Sequence, residues 1–255
     1  MLPQQACRNA LIGLTTDQGS AGSHSGLVLD CYLRETGNPE SRRALISSAS
    51  RAQEKAKALY TLAYKRWDRQ TSSGYVRARV VTEGRLILGL GIESVLETGL
   101  RLHATYGTPL IPGSSLKGLC SHYCAEEWGR ADERYLARGE WHDILFGKQD
   151  DAGMIRFMDA WILPASVSNC LAEDVMTPHQ GAYYGGAGAP SDRGDPNPIA
   201  FLSVKGVFLL ALECDDPSEA GRKWAQLAMD VCKQALREWG AGGKTRAGYG
   251  RMRTA

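Results

Sequence analysis

Residues 198–213 read PIAFLSVKGVFLLALE, and the fold predicted for the whole chain is centred on them. Apolar residues fill both halves of this segment, and Lys205-Gly206 separates the halves. Short apolar runs of this kind are typical of buried strands, and a glycine between them indicates a bend or a turn. The segment is therefore predicted to form either one bent strand or a tight hairpin.

Patterns on both sides of this segment predict further elements. Apolar residues at spacings of three and four indicate helices, and alternation of apolar residues with arginines indicates the first strand. The predicted elements are strand 75–89, helix 113–128, strand 154–163, helix 219–239 and strand 248–253. The buried stripe of the second of these helices is predicted to consist of Trp224, Leu227, Val231, Ala235 and Trp239.

From residue 75 onward the predicted order is strand, helix, strand, strand, helix, strand, which is the split βαβ order of ferredoxin-like folds. We therefore expect an α+β fold of the ferredoxin-like, RRM-like class. Its antiparallel sheet should carry helices on one face and leave the other face open for a ligand or partner. Many RNA-binding modules are built in this way.

The domain organisation predicted is one domain over residues 1–255, because this length fits one large domain. Residues 1–72 are predicted to be a helical extension, and residues 73–255 the core. Insertions are predicted at 131–151, which is helical and charged, and at 169–197, which is rich in Gly, Pro, Asp and Tyr. A loop as long as the second insertion is usually functional or disordered.

Composition excludes few classes of protein. Hydrophobic residues make up 43% of the chain and the net charge is +2, so a basic surface must arise from local clustering. We see no secretion signal and no apolar run long enough to span a bilayer, which predicts a cytoplasmic protein without a membrane partner. Seven scattered cysteines favour a reducing compartment over a disulfide framework.

The first long helix is predicted within residues 26–69, and its stretch 42–69 carries eight basic residues but only two acidic ones, Glu54 and Asp68. This charge indicates either a solvated outer face or a surface that contacts RNA or protein. The opposite, apolar face is predicted to consist of Leu45, Ala49, Ala52, Ala56, Leu59, Ala63 and Trp67.

The glycine loop, residues 240–250, reads GAGGKTRAGYG. Gly242 and Gly243 free the backbone so that N–H groups can converge on an anion, while Lys244, Thr245 and Arg246 add charge and a hydroxyl. The loop is predicted either to hold an RNA phosphate or to be a plain helix-to-strand turn. A nucleotide-binding P-loop is excluded, because Glu238 stands where that motif requires its first glycine.

A second candidate anion site lies at residues 111–118, IPGSSLKG. Gly113, Ser114, Ser115 and Lys117 would lie at a helix N-terminus, which attracts anions. The alternative is a helix capped by Ser114 and Ser115 with nothing bound.

Four stretches together resemble the RAMP superfamily of CRISPR-associated proteins, and within it the sixth-subunit family of the type III-B Cmr complex. The resemblance spans nearly the whole chain, although residues 1–25 cannot be aligned. The stretches are GLVLDCYL from Gly26, GLGIESVLETGLRLHATYGTPLIPGSSLKG from Gly89, DVMTPHQGAYY from Asp174 with NPIAFLSV from Asn197, and GAGGKTRAGYG from Gly240.

The resemblance implies a non-catalytic subunit that binds guide RNA (crRNA) near its 3′ end and caps a filament of related subunits in antiviral defence. It implies other RAMP subunits and a target RNA as further partners, and it implies no nuclease activity. Neither a cofactor nor a metal is expected. Long loops in such relatives wedge against RNA or a neighbouring subunit. His179, Tyr183 and Tyr184 are candidates for stacking on bases or ribose, and the alternative is a surface loop with a satisfied histidine. The predicted RNA-binding residues are Gly113, Ser114, Ser115, Lys117, His179, Gly242, Gly243, Lys244, Thr245 and Arg246.

Several rival functions remain as hypotheses. His24, His103 or His179 would serve a metal-independent endoribonuclease that processes guide RNA. Asp17 would serve metal-assisted cleavage. A scaffold that contacts only protein is a further alternative. Zinc is not expected, because Cys120 and Cys124 lack a second ligand pair at metal spacing.

Overall fold

The computed structural model describes residues 24–33, 35, 38–92, 94, 98–176 and 199–255. The candidate residues Asp17, His179, Tyr183 and Tyr184 lie outside these ranges. The α-helices of the described ranges are α1 (Ser25–Cys31), α2 (Pro39–Gln70), α3 (Gly113–Tyr123), α4 (Glu140–Phe146) and α5 (Glu219–Glu238). The strands are β1 (Val76–Thr82), β2 (Leu110–Ile111), β3 (Gly147–Lys148), β4 (Asp151–Ala152), β5 (Ile155–Phe157), β6 (Ala160–Ile162), β7 (Leu171–Met176), β8 (Ile199–Val204), β9 (Val207–Cys214) and β10 (Met252–Thr254).

The main sheet of the described residues contains six strands, ordered β10-β1-β9-β6-β2, with β5 pairing β9 as well. Every pair in it is antiparallel, so the predicted α+β class with an antiparallel sheet is confirmed. Instead of one strand over 154–163, β5 and β6 pair with opposite ends of β9. Between them the Met158 N–H donates to the Ala211 carbonyl.

The central segment 198–213 forms two strands that do not pair with each other. β9 lies inside the main sheet, whereas β8 pairs with β7 in a second, two-stranded sheet over six residue pairs. Neither predicted alternative, one bent strand or a tight hairpin, is found, although the chain does break at Lys205-Gly206 as predicted. β7 occupies residues 171–176, at the start of the second predicted insertion.

Helices α3 and α5 pack together, and α5 lies against β1, β9 and β10. Val80, Phe208, Leu210 and Met252 are buried in this core. Of the stripe predicted for α5, Val231 and Ala235 are fully buried, whereas Trp224, Leu227 and Trp239 are half-buried. Ser218 caps the N-terminus of this helix, since its hydroxyl accepts from the Gly221 N–H.

The other face of the main sheet was predicted to be open, and this is wrong where α2 crosses it. Trp67 of α2 stacks on Trp161 of β6 with 5.4 Å between ring centroids. Tyr60 of α2 donates its hydroxyl to the Ile162 carbonyl at 2.6 Å. Leu209 and Ala211, which alternate with the residues facing α5, are buried as well. The aromatic residues of α2 make this cover favourable, because each buries a large apolar area.

The apolar stripe predicted for α2 is correct at Leu45, Ala49, Ala52, Ala63 and Trp67. It is wrong at Leu59, whose side chain is 62% exposed. Tyr60 is buried in its place. A helix turns by about 100° per residue, so more than one set of positions spaced by three and four can be drawn through this sequence, and the predicted set included the wrong neighbour.

The first insertion was predicted to be helical and charged. It contains a 3₁₀ turn at Glu133–Tyr135, then α4, then the β3–β4 hairpin. Arg134 lies 3.5 Å over the Trp141 ring and pairs with Asp132, which ties the 3₁₀ turn to α4 within the insertion. None of the helices in the described ranges combines the length and the apolar character needed to cross a membrane.

Candidate nucleic-acid interface

The glycine loop is clamped onto the segment that follows β1. The Ala241 N–H donates to the Gly250 carbonyl at 2.9 Å and closes the neck of the loop. The Gly250 N–H donates to the Arg85 carbonyl at 2.8 Å, and the Gly243 N–H donates to the Ile87 carbonyl at 2.9 Å. The base of the loop is thus held by the fold, and its tip projects from a rigid frame.

The glycines of this loop serve the fold first. Gly242 has φ +80°, and a Cβ there would meet the Ile87 carbonyl oxygen at 2.1 Å. Gly250 has φ +79°, and a Cβ there would meet the Ala241 carbonyl oxygen at 1.9 Å. Gly242 and Gly243, which are predicted to approach RNA closely, make close contacts to Ile87 within the fold.

The tip of the loop carries the features expected of an anion site. Lys244 adopts the left-handed conformation with φ 55°, which is costly for a residue with a side chain and often marks functional sites. Lys244 and Arg246 are exposed and Thr245 is half-exposed. Within the described ranges, no hydrogen-bond acceptor is found for the N–H groups of Gly242, Lys244, Thr245 and Arg246.

The positive charge of this tip is not neutralised by neighbouring carboxylates. Among the described residues, Lys244, Arg246, Arg251 and Arg253 form no ion pair. All four are exposed, and the last two extend the basic surface into β10. N–H groups without an acceptor and cations without an ion pair, both within the described ranges, together suit a phosphate group.

A side-chain network joins the glycine loop to the β7–β8 sheet. Tyr249 donates its hydroxyl to Asp174 at 2.7 Å, and burial together with this bond raises the pKa of Tyr249. Arg85 lies 3.9 Å from the same carboxylate and donates to the Glu173 carbonyl at 2.9 Å. The glycine loop and the stem of the second insertion therefore form one continuous surface.

At the start of α3, the second candidate anion site, the residue that caps the helix is not the one predicted. Pro112 is the N-cap, and neither Ser114 nor Ser115 caps the helix, so that prediction is wrong. The Gly113 N–H instead donates to the Asp159 carboxylate at 2.7 Å. Gly113 is buried, and a Cβ there would meet the Phe157 carbonyl oxygen at 2.1 Å.

A carboxylate of the protein thus already lies at the positive end of α3. Exposed Ser114 and Ser115 and half-buried Lys117 remain beside it. The structure does not bring this site together with the glycine loop. The far end of α3 contacts Trp239, just before that loop, through Tyr123, and the ten helical steps from Gly113 to Tyr123 span about 15 Å.

Two of the candidate catalytic histidines, His24 and His103, lie close together, but each has a structural role. His24 accepts from the Gly26 and Leu27 N–H groups through Nδ1 and reaches the His103 carbonyl through Nε2 at 3.3 Å. His103 accepts from the Thr105 N–H at 3.1 Å, and its ring contacts Trp161. Burial lowers the pKa of His103, Asp159 opposes this shift and His24 adds to it.

The thiols of Cys120 and Cys124 are buried in the core. Burial raises the pKa of Cys124 to about 12, and it raises the pKa of Cys120 as well, helped by contact with Cys232. Both thiols are therefore protonated at neutral pH and serve as apolar core groups. In the part of the chain that the structure describes, no three His, Cys, Asp or Glu side chains cluster in a way that would hold a metal ion.

Comparison with known proteins gives consistent matches. The sequence model of the RAMP superfamily matches residues 79–253. The CRISPR system Cmr subunit Cmr6 of Pyrococcus furiosus is 31% identical to this chain, and the match covers 78% of this chain and 74% of that protein.

Solved structures match as well. A chain of the cryo-EM structure of the Type III-B Cmr-beta bound to cognate target RNA matches with a TM-score of 0.60 at 17% identity, over 98% of this chain and 87% of that one. The crystal structure of Cmr6 from Pyrococcus furiosus matches with a TM-score of 0.45 at 30% identity, over 71% of this chain and 98% of that one. The first of these two matches shows a shared fold.

Proposed function

Because this chain belongs to the RAMP superfamily, and within it to the Cmr6 family of Cmr subunits, we propose that it binds guide RNA without cleaving it. Its place is in a type III-B CRISPR effector complex, among other RAMP subunits. There it caps the 3′-end side of the backbone filament, and it acts where a target RNA is recognised in antiviral defence.

The observation that carries this proposal is the tip of the glycine loop. Lys244 and Arg246 are exposed, Lys244 is left-handed, and no acceptor is found in the described ranges for the N–H groups of Lys244, Thr245 and Arg246. A sugar-phosphate backbone offers the oxygen acceptors that such groups bind. We infer that the loop holds RNA phosphates, with Thr245 adding a hydroxyl.

The start of α3 has a secondary part in this proposal. Lys117, Ser114 and Ser115 are available there, but Asp159 repels a phosphate placed directly on the helix axis. RNA would therefore contact these side chains from beside the helix end. Binding of this kind reads shape and charge, so we expect low sequence specificity.

The roles of the two histidines support the absence of catalysis. A general base must reach the proton that it removes, and Nδ1 of His24 and Nδ1 of His103 both accept backbone N–H groups. Both rings thus act as fixed parts of the fold. This favours RNA binding without cleavage over the endoribonuclease hypothesis.

The proposal is tested with Lys244→Ala combined with Arg246→Ala. We expect affinity for guide RNA to fall roughly tenfold or more, because two charged contacts are lost. The slope of log affinity against log salt should become shallower by about 1.4, since single strands give about 0.7 per phosphate contact. Fluorescence anisotropy over a range of salt concentrations measures both.

The matched control is Lys148→Ala combined with Arg222→Ala, two exposed cations of β3 and α5 that lie away from the loop. It removes the same charge and should change affinity little. Equal losses in both double variants would show that only net charge matters. Guide RNA that is cut in these mixtures, with or without EDTA, would contradict the absence of catalysis.

A further inference from the structure

The outer side of α2 carries two leucines that are exposed to solvent. Leu59 is 62% exposed and Leu62 is 58% exposed, the highest values among the large hydrophobic side chains of the described residues. They lie three positions apart, so they are neighbours on the helix surface. Exposed apolar groups side by side on one element are typical of interaction surfaces.

These leucines are not part of the contact between α2 and the sheet. That contact uses Tyr60, Tyr64 and Trp67, which are buried. Leu59 and Leu62 project to a different side of the same turns. Removing their side chains would cost the isolated chain little, which indicates a task outside its own core.

Cations extend the leucine pair at both ends. At about 100° per residue, Lys55, Leu59, Leu62, Arg66 and Arg69 fall within a sector of about 80°. All five are exposed, and we refer to them as the α2 stripe. The stripe is about 21 Å long at about 1.5 Å per residue.

The charge around the stripe has one dominant sign. Two acidic residues of α2, Glu40 and Glu54, are exposed, and Asp68 is drawn into an ion pair with Arg77 of β1. The exposed basic residues of the same helix are Arg43, Arg51, Lys55, Lys65, Arg66 and Arg69. A surface complementary to the stripe must therefore be acidic around an apolar centre.

The apolar centre decides the class of partner. RNA offers phosphates, sugars and stacked bases, and leucines neither donate hydrogen bonds to phosphates nor stack as aromatic rings do. A protein surface can bury both leucines and pair its carboxylates with the flanking cations. We propose that the α2 stripe docks a neighbouring protein subunit that presents an apolar patch rimmed by carboxylates. This inference rests on the proposed function, because it requires an assembly.

The test is incorporation into the chain's own Cmr complex, assembled on guide RNA without this subunit. We expect Leu59→Glu combined with Leu62→Glu to weaken incorporation at least tenfold, since new carboxylates meet an acidic partner. Leu59→Gln combined with Leu62→Gln should weaken it less. Glutamate and glutamine both favour helices, so the fold should be kept. Native mass spectrometry and size-exclusion chromatography measure incorporation.

The matched control replaces Leu27 and Leu136, which are 56% and 43% exposed on other elements, by glutamate. It should leave incorporation unchanged. Unchanged incorporation of the stripe variants would overturn the docking surface, and equal effects of Glu and Gln would overturn the acidic partner. If the stripe variants lose affinity for free guide RNA in the same proportion, the stripe is an RNA surface instead. A wild-type chain that is not incorporated contradicts the proposed function itself.

Discussion

Gly242 and Gly243 are adjacent in the glycine loop, yet a methyl group has different consequences at each. At Gly242, φ is +80° and the space is filled by the Ile87 carbonyl, whereas a Cβ at Gly243 would find its nearest neighbour at 3.6 Å. We expect Gly242→Ala to lower the free energy of unfolding by about 2 kcal/mol or more. Gly243→Ala should leave it nearly unchanged. Chemical denaturation measures both, and equal losses would contradict the clamped loop.

His103 makes the fold sensitive to acid. Its pKa is lowered in the folded chain, so the unfolded chain binds the proton more readily below the ordinary value of about 6.5. Stability should therefore fall as the pH drops through about 6.5, until the lower folded pKa is passed. His103→Asn keeps an acceptor for Thr105 and should reduce this loss. Thermal melting at several pH values measures the difference, and an unchanged profile would contradict this role.

Single residues also show how much of the candidate site could be predicted from the sequence. The exposed cations Lys244 and Arg246 were identified because their neighbours in the chain are glycines. Asp159 was not, since it reaches the start of α3 from 46 residues further along the chain. Arg85 and Asp174 were missed for the same reason, because only folding places them beside Tyr249.

At the scale of elements, α2 holds the main sheet from the side that was predicted to be open. Trp67→Ala should lower the free energy of unfolding by about 3–5 kcal/mol, because Trp67 is buried against Trp161. Leu59→Ala, on the exposed side of the same helix, is the control and should change stability by less than about 1 kcal/mol. A small effect at Trp67, measured by urea unfolding, would mean that α2 is only loosely attached.

The helices and strands were predicted correctly where the apolar residues follow a single spacing, either that of a helix or that of a strand. β1 and α5 follow clear alternation or helical spacing, and both are found. The stripe of α2 was displaced at Leu59 because alanines fill neighbouring positions and do not define a face by themselves. That α2 folds back over β6 had no local signal, since it depends on Trp161 and Tyr60, which lie far apart in the chain.

At the scale of the whole molecule, the net charge of +2 conceals an uneven distribution. The glycine loop and β10 carry exposed cations without ion pairs in the described ranges, while Asp132, Glu213 and Asp215 are paired with arginines elsewhere. Composition therefore could not have indicated an RNA-binding surface. Two separated basic surfaces, the loop tip and the α2 stripe, would let one chain contact RNA and a protein neighbour at the same time.

The junction between β8 and β9 has a mechanical consequence. Hydrogen bonds at the junction hold it: Val204 and Leu86 exchange two, Gly206 and Thr82 bond each other through backbone and hydroxyl groups, and the Lys205 N–H donates to the Cys170 carbonyl. A hinge at Lys205 would have to break several of these bonds at once. The β7–β8 pair is therefore rigidly attached to β9, the central strand. A ligand that displaces this pair should displace β9 with it, because the junction does not bend.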